Sequence, residues 1–179
     1  MARRTVKSPA TIAGPGLHTG RTTQIRCLPG TPGAGIRFRR VDLDGRPEFP
    51  ATVDLVEATE RRTAIGRGQQ TVHTVEHLLA AVSAGGLDDL MIEIDGPEAP
   101  IADGSFAPFV EILTAAEVTE HAGEPTVFTV GAPFTLSTGE ASYVVAPAKA
   151  LRVTATIEWP HPLIGRQTGS FDITPERFR

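Results

Sequence analysis

Cysteine is nearly absent from this chain of 179 residues, in which Cys27 is the single example. One thiol cannot form an intrachain disulfide, so nothing in the sequence indicates an oxidising compartment. The charged N-terminal residues are not followed by the apolar stretch of a signal peptide. No run of about 18 apolar residues occurs, which predicts that the chain has no transmembrane segment. From these absences we expect a cytoplasmic protein.

Lysine is almost as scarce as cysteine, because Lys7 and Lys149 are the only two and arginine supplies the other cations. The formal net charge is −4 and the sequence contains no basic block. This charge argues against a nucleic acid as the partner. With 40% hydrophobic and 21% charged residues, the composition is globular, and the length suits one domain or one small domain plus part of another.

The first part of the chain, residues 3–65, has the pattern of a β-rich region. Residues 22–28 and 35–41 show partial alternation of apolar and polar side chains. Residues 29–33 between them are rich in proline and glycine, which favours a turn. We therefore expect two strands joined by a turn.

Residues 71–84 change to the periodicity of a helix. Apolar side chains recur at steps of three and four residues, at Val72, Val75, Leu79 and Val82. The pair Gly85-Gly86 favours termination of this helix.

Further elements are predicted on both sides of a linker at residues 121–125. They are a strand at 89–94, a helix at 106–116 with Ser105 as its N-cap, and strands at 127–130, 142–146 and 151–157. The last segment, residues 173–176, has the threonine, proline and glutamate of a helix start. A helix begun so close to the end of the chain cannot bury a face. We therefore expect the chain to stop inside a second domain, with a first domain at 1–122 and a second, incomplete one at 123–179.

The predicted helix at 71–84 carries a polar stripe that suggests chemistry. Successive residues of a helix rotate by about 100°, so His73, Glu76 and His77 fall on one face. A glutamate beside a histidine supplies a base and a metal ligand for hydrolysis. Two interpretations are open: a solvated face, or the His-x-x-Glu-His pattern of a zinc metallopeptidase. A catalytic zinc site needs three protein ligands, and Glu158 is a candidate for the third in a peptidase.

A series of motifs along the whole chain narrows these alternatives. They are GPGLHTG at 14–20, TVEHLLAAV at 74–82, GLDDL at 86–90, EIDGPEAPIADGS at 93–105 and PFV at 108–110. This series closely resembles the UDP-3-O-acyl-N-acetylglucosamine deacetylases of the LpxC type. A nine-residue motif followed by ordered loop motifs is far more specific than the spacing of two histidines.

The resemblance implies an α+β fold, a two-layer sandwich of mixed β-sheet and helices, as the first of two similar domains with the active site between them. It implies zinc-dependent hydrolysis of the N-acetyl amide of a UDP-linked, acylated amino sugar in lipid A biosynthesis. Glu76 then matches the general base and His77 a zinc ligand, whereas His73 matches no ligand. His18 matches a loop on the substrate side. Arg62 and Thr63 lie in a region that approaches the active site in the family.

Other parts of the family's catalytic set have no match in this chain. The remaining zinc ligands form a His-x-x-x-Asp pair, and no such pair occurs here. We expect this chain alone to bind Zn²⁺ weakly and to have negligible deacetylase activity. Besides the deacetylase, two functions stay open: the zinc metallopeptidase, and a non-catalytic remnant of the deacetylase fold that acts as a binding module.

Overall fold

The structure, a computed structural model, describes residues 2–58, 60–174 and 177. The predicted helix start at 173–176 includes Pro175 and Glu176, which lie outside the described residues. The chain divides into two compact units, the first ending at Pro125 and the second beginning at Thr126.

The first unit contains ten strands and two α-helices among its described residues. The strands are β1 (Arg3–Val6), β2 (Ala10–Pro15), β3 (Thr22–Pro29), β4 (Ile36–Arg40), β5 (Glu48–Pro50), β6 (Val56–Ala58), β7 (Ala64–Ile65), β8 (Val72–His73), β9 (Leu90–Ile94) and β10 (Val118–His121). The helices are α1 (Glu76–Ala84) and α2 (Ala107–Ala115). Two short 3-10 turns lie at Val53–Leu55 and Gly68–Gln70.

A mixed five-stranded sheet of order β2-β3-β9-β4-β5 forms one layer of this unit. Strand β4 runs parallel to β9, and the other neighbours are antiparallel. Strand β3 alternates as predicted, with Thr23, Ile25 and Cys27 buried and the residues between them exposed. Two smaller antiparallel sheets, β6-β7-β8 and β1-β10, accompany the large one.

The helices form the second layer and share one hydrophobic core with the sheet. Helix α1 contacts α2, and α2 contacts β2. Fully buried members of the core come from both layers: Ile25, Phe38, Ile92 and Ile94 from strands, and Leu78 and Phe109 from helices. The α+β fold class with a sheet layered against helices is confirmed.

The helix predicted at 71–84 is correct only in its second part. Val72 and His73 form β8, which pairs with β7, and the helix begins at Glu76. Thr74 interrupts the periodicity with a left-handed backbone, φ 58°. The helix ends at Ala84 with Gly85 as its C-cap, and Gly86 follows with a left-handed φ of 61°, as the glycine pair predicted.

The second unit consists of two β-hairpins in its described part. The hairpins pair β11 (Phe134–Thr138) with β12 (Ala141–Val145), and β13 (Arg152–Glu158) with β14 (Arg166–Asp172). The strand predicted at 127–130 is wrong, because those residues form no ladder. No described residue from Thr126 onward is buried.

None of the helices in the described part of the chain is both long and apolar enough to span a membrane.

Candidate active site

Glu76 is the first residue of α1, and its carboxylate is held by the neighbouring segment. Its Oε2 accepts a hydrogen bond of 2.9 Å from the backbone N–H of Thr63. The carbonyl of Thr63 in turn accepts from the N–H of Val75, the residue before the helix, at 3.3 Å. A carboxylate at a helix N-terminus is also stabilised by the helix dipole. Glu76 is therefore fixed in place while remaining partly exposed.

His77 follows Glu76 and has a ring nitrogen without a partner in the part of the chain that the structure describes. Its Nδ1 is buried and accepts or donates no hydrogen bond within the described residues. Buried polar atoms are normally satisfied, so an orphaned imidazole nitrogen suits a metal ligand or its hydrogen-bonded support. Hydrogen bonds from the N–H and the hydroxyl of Ser105 lower the pKa of Asp103, and the neighbouring His77 contributes in the same direction.

His73 is not on the helical face that the sequence predicted for it. It lies in β8, its N–H donates to the carbonyl of Pro97 at 2.9 Å, and its carbonyl accepts from Ala99 at 3.0 Å. Burial, followed by the charge of Arg62, lowers the pKa of the His73 imidazole. The argument that His73, Glu76 and His77 share one stripe of a helix is therefore wrong, because β-pairing occupies the backbone of His73.

The three residues predicted to lie on the substrate side occupy two segments. His18 is exposed in the tight loop between β2 and β3, which is closed by a hydrogen bond of 3.0 Å from Gly20 to Gly16. Arg62 and Thr63 lie in the segment before β7. Arg62 is close to His73 and has a buried Nε without a partner among the described residues.

Glu98 connects the His18 loop with the turn at Thr74, and its role was missed from the sequence. It is fully buried, and its carboxylate accepts hydrogen bonds from the His18 N–H, the Thr19 N–H and hydroxyl, and the Thr74 hydroxyl. Burial alone would raise the pKa of Glu98, but these hydrogen bonds outweigh it and lower the pKa to about 2. The structure thus brings the His18 loop next to the turn that precedes Glu76 and His77.

Within the described ranges, no three histidine, cysteine, aspartate or glutamate side chains come together as a group able to hold a metal ion. Glu158, the residue considered as a third ligand for a peptidase, belongs to β13 of the second unit. Glu76 and His77, predicted as general base and zinc ligand, are adjacent at the start of α1 in the first unit.

Comparison with known proteins agrees with the motifs around these residues. The family model "LpxC: UDP-3-O-acyl N-acetylglycosamine deacetylase" matches residues 3–179. This chain belongs to the LpxC family. Family membership confirms the resemblance to the LpxC deacetylases that was predicted from the motifs at 74–82, 86–90 and 93–105. These motifs contain Glu76, His77 and Glu98.

Curated relatives of the LpxC family match over nearly the whole of this chain. The UDP-3-O-acyl-N-acetylglucosamine deacetylase of Syntrophotalea carbinolica is 39% identical over 175 residues, which cover 98% of this chain and 57% of the relative. That of Bdellovibrio bacteriovorus is 37% identical over 176 residues, 98% of this chain and 58% of the relative. That of Myxococcus xanthus is 37% identical over 171 residues, 96% of this chain and 54% of the relative. The chain thus spans little more than half the length of these relatives.

Proposed function

We propose that this chain supplies the general base and one zinc ligand for deacetylation of UDP-3-O-acyl-N-acetylglucosamine, a step of lipid A biosynthesis. The observation that carries the proposal is the adjacency of two side chains at the start of α1. Glu76 has an ordered, partly exposed carboxylate, and His77 has a buried nitrogen without a partner in the described part of the chain. Both lie in the part that matches the LpxC family.

Glu76 is suited to remove a proton from an attacking water. Its Oε2 is engaged by the Thr63 N–H at 2.9 Å, and no hydrogen bond within the described residues engages Oε1. One oxygen therefore holds the side chain while the other is available to a proton. A carboxylate held in this way can take the proton from water and later deliver it to the leaving amine.

His77 is the residue of this chain that would hold zinc. When bound, Zn²⁺ would polarise the amide carbonyl and make water more acidic. The imidazole must then be neutral, and the site needs two further protein ligands. This chain contains no His-x-x-x-Asp pair to provide them. We infer that His77 contributes to a zinc site that this chain alone does not complete.

The substrate would approach from the side of the loop at residues 16–20 and the segment that contains Arg62 and Thr63. The exposed His18 ring and the Arg62 guanidinium are groups that pair with the sugar and phosphate oxygens of a UDP-linked substrate. We assign these residues to substrate binding and not to proton transfer.

A fusion protein tests the proposal. Residues 1–179 are joined to the part of the Syntrophotalea carbinolica deacetylase that follows its matched region, and release of acetate from the UDP-sugar is measured. We expect turnover that depends on zinc. Glu76→Gln should lower kcat at least ~100-fold because proton removal is lost. His77→Asn should abolish both zinc binding and turnover.

His73→Asn is the matched control, because His73 also has a buried Nδ1 without a partner among the described residues. Its turnover should stay close to that of the native fusion, whereas equal loss at His73 and His77 would favour the metallopeptidase arrangement. A fusion that binds the UDP-sugar but releases no acetate contradicts the proposal and favours a binding module.

A further inference from the structure

Glu98 is a fully buried carboxylate surrounded by hydrogen-bond donors. Its Oε1 accepts from the His18 N–H at 3.0 Å and the Thr74 hydroxyl at 2.8 Å. Its Oε2 accepts from the Thr19 N–H at 2.8 Å and the Thr19 hydroxyl at 2.7 Å. No arginine, lysine or histidine of the described residues forms an ion pair with it. The negative charge is therefore stabilised by oriented dipoles from two segments.

Both oxygens of the Glu98 carboxylate act as acceptors in this site. The His18 N–H donates to both oxygens, to Oε1 at 3.0 Å and to Oε2 at 3.2 Å, whereas the Thr19 N–H donates only to Oε2, and neither N–H can act as an acceptor. A glutamine with its NH₂ group at the Oε2 position would leave the Thr19 N–H unpaired. With its NH₂ group at the Oε1 position, the Thr74 hydroxyl could no longer donate to it, and the His18 N–H would keep only the longer of its two bonds. In either orientation a glutamine weakens the bonds to the loop or the bond to Thr74, whereas the carboxylate accepts all of them at once.

One end of Glu98 stabilises an unfavourable backbone conformation next to the catalytic helix. Thr74 is buried and has φ 58°, a conformation that is rare for a β-branched residue. Its hydroxyl bond to Glu98 is formed in that conformation. The following residue, Val75, begins the turn into Glu76 and donates to Thr63. The direction in which α1 leaves β8 therefore depends on Thr74.

The other end of Glu98 holds the loop between β2 and β3. The N–H groups of His18 and Thr19 both point at the carboxylate, and Gly16 lies against Oε2 so closely that a Cβ there would overlap it. The backbone of Glu98 is itself fixed, because its carbonyl accepts from the buried Thr23 hydroxyl at 2.6 Å. Glu98 is thus held in place by Thr23, and its carboxylate connects the loop between β2 and β3 with the turn at Thr74.

We propose that Glu98 is a positioning residue of the deacetylase site, whose carboxylate holds the His18 loop and the turn that carries Glu76 and His77 in one fixed arrangement. This inference rests on the function proposed above for Glu76 and His77. Because Glu98 is fully buried and its carboxylate is taken up by His18, Thr19 and Thr74, it acts through Thr74 and through the loop.

Amide hydrogen exchange in the 179-residue chain tests the inference, with Thr63 as the reporter. The Thr63 N–H donates to Glu76 and makes no contact with Glu98. We expect Glu98→Gln to accelerate exchange about tenfold at His18, Thr19 and Thr63, relative to an amide of the central strand β9. Acceleration at His18 and Thr19 with no change at Thr63 would overturn the inference, because Glu98 would then anchor the loop alone.

Asp89→Asn is the control for a purely structural effect. Asp89 is also fully buried, but it binds Arg3, Gly35 and His121 and not the site. This variant should lower the free energy of unfolding without accelerating amide exchange at Thr63 relative to an amide of β9. Equal relative acceleration in both variants would show that Glu98 acts only through overall stability.

A pair of substitutions at Thr74 decides the question even if Glu98→Gln fails to fold. Thr74→Ser keeps the hydroxyl, and Thr74→Val replaces it with a methyl group of similar size. Amide exchange at Thr63 should be faster in the valine variant than in the native chain, and the serine variant should retain the native protection. Identical protection in the two variants would contradict the role of the bond to Glu98.

Kinetics of the fusion protein separate this inference from the proposed function. Thr74→Val should lower kcat about tenfold with little change in KM, because the loop stays anchored. Glu98→Gln should lower kcat and raise KM. An inactive fusion with native Glu98 would contradict the proposed function, whereas an active fusion indifferent to both substitutions would contradict only the positioning role.

Discussion

At the scale of single residues, the site depends on how closely Gly16 approaches Glu98. A Cβ at Gly16 would overlap Glu98 Oε2 and come within 2.8 Å of the Thr19 hydroxyl oxygen. Neither neighbour is free to move, because both belong to the same set of hydrogen bonds. The glycine is therefore required by space and not by its backbone angle.

Gly16→Ala should lower the free energy of unfolding of the first unit by about 2 kcal/mol, because the added methyl group displaces the buried carboxylate or its donors. Gly14→Ala is the matched control in β2, where a Cβ would meet only the Pro100 Cβ at 3.5 Å. Urea denaturation of the two variants and the native chain provides the comparison. Equal stability of the two variants would show that the loop adapts to the methyl group.

At the residue scale, the motif predicts the adjacency of Glu76 and His77, but neither the strand position of His73 nor the distant partners of Glu98. Glu76 and His77 are adjacent in the chain, so their proximity follows from the motif alone. The partners of Glu98 are 24 residues away at Thr74 and 80 at His18. Those contacts arise because β8 and the backbone of residues 97–99 form hydrogen bonds with each other. The available signal was the glutamate within the motif at 93–105, a charged residue placed between prolines.

At the scale of elements, the start of α1 shows how tertiary pairing overrides periodicity. The apolar period includes Val72 and Val75, and both are buried, but Val72 is buried in a strand. Strand β8 pairs with β7 and ends at His73. Thr74 then turns the chain, and the helix begins only after this turn. Hydrophobic spacing identified Val72, Val75 and Val82 as buried positions but did not identify the backbone that carries Val72.

The later start of α1 also changes which of two adjacent leucines is buried in the core. Leu78 is fully buried, whereas Leu79, which the longer helix placed on the core-facing stripe, is only partly buried. Leu78→Ala should therefore cost about 3 kcal/mol of unfolding free energy, and Leu79→Ala about 1 kcal/mol. Urea denaturation of the two variants measures this difference. A larger loss at Leu79 would contradict the observed orientation of α1.

At the scale of the whole molecule, the two units differ in how much apolar side-chain surface they bury. The first unit has a core that spans its sheet and both helices. In the described part of the second unit, cross-strand polar pairs such as Thr154–Ser170 and Arg152–Asp172 connect β13 and β14, and no side chain is buried. Apolar burial is the main source of folding free energy, so the first unit should be the more stable.

Cys27 offers a direct test of this difference. It is fully buried, and burial raises the pKa of its thiol to about 12. The thiol should therefore react with a disulfide reagent only after the first unit unfolds. Amides of the β13–β14 hairpin should lose protection at a lower urea concentration than that at which Cys27 becomes reactive. Coincident transitions would mean that the two units unfold together.

The pairing of β1 with β10 has a topological consequence. Arg3 lies opposite His121 across this pair, and both side chains bind the buried carboxylate of Asp89. The polypeptide thus enters and leaves the first unit through adjacent strands. A domain whose ends meet can be circularly permuted, with its old ends joined and new ones opened at a surface turn. Every strand pair of the sheet would be retained in such a rearranged protein.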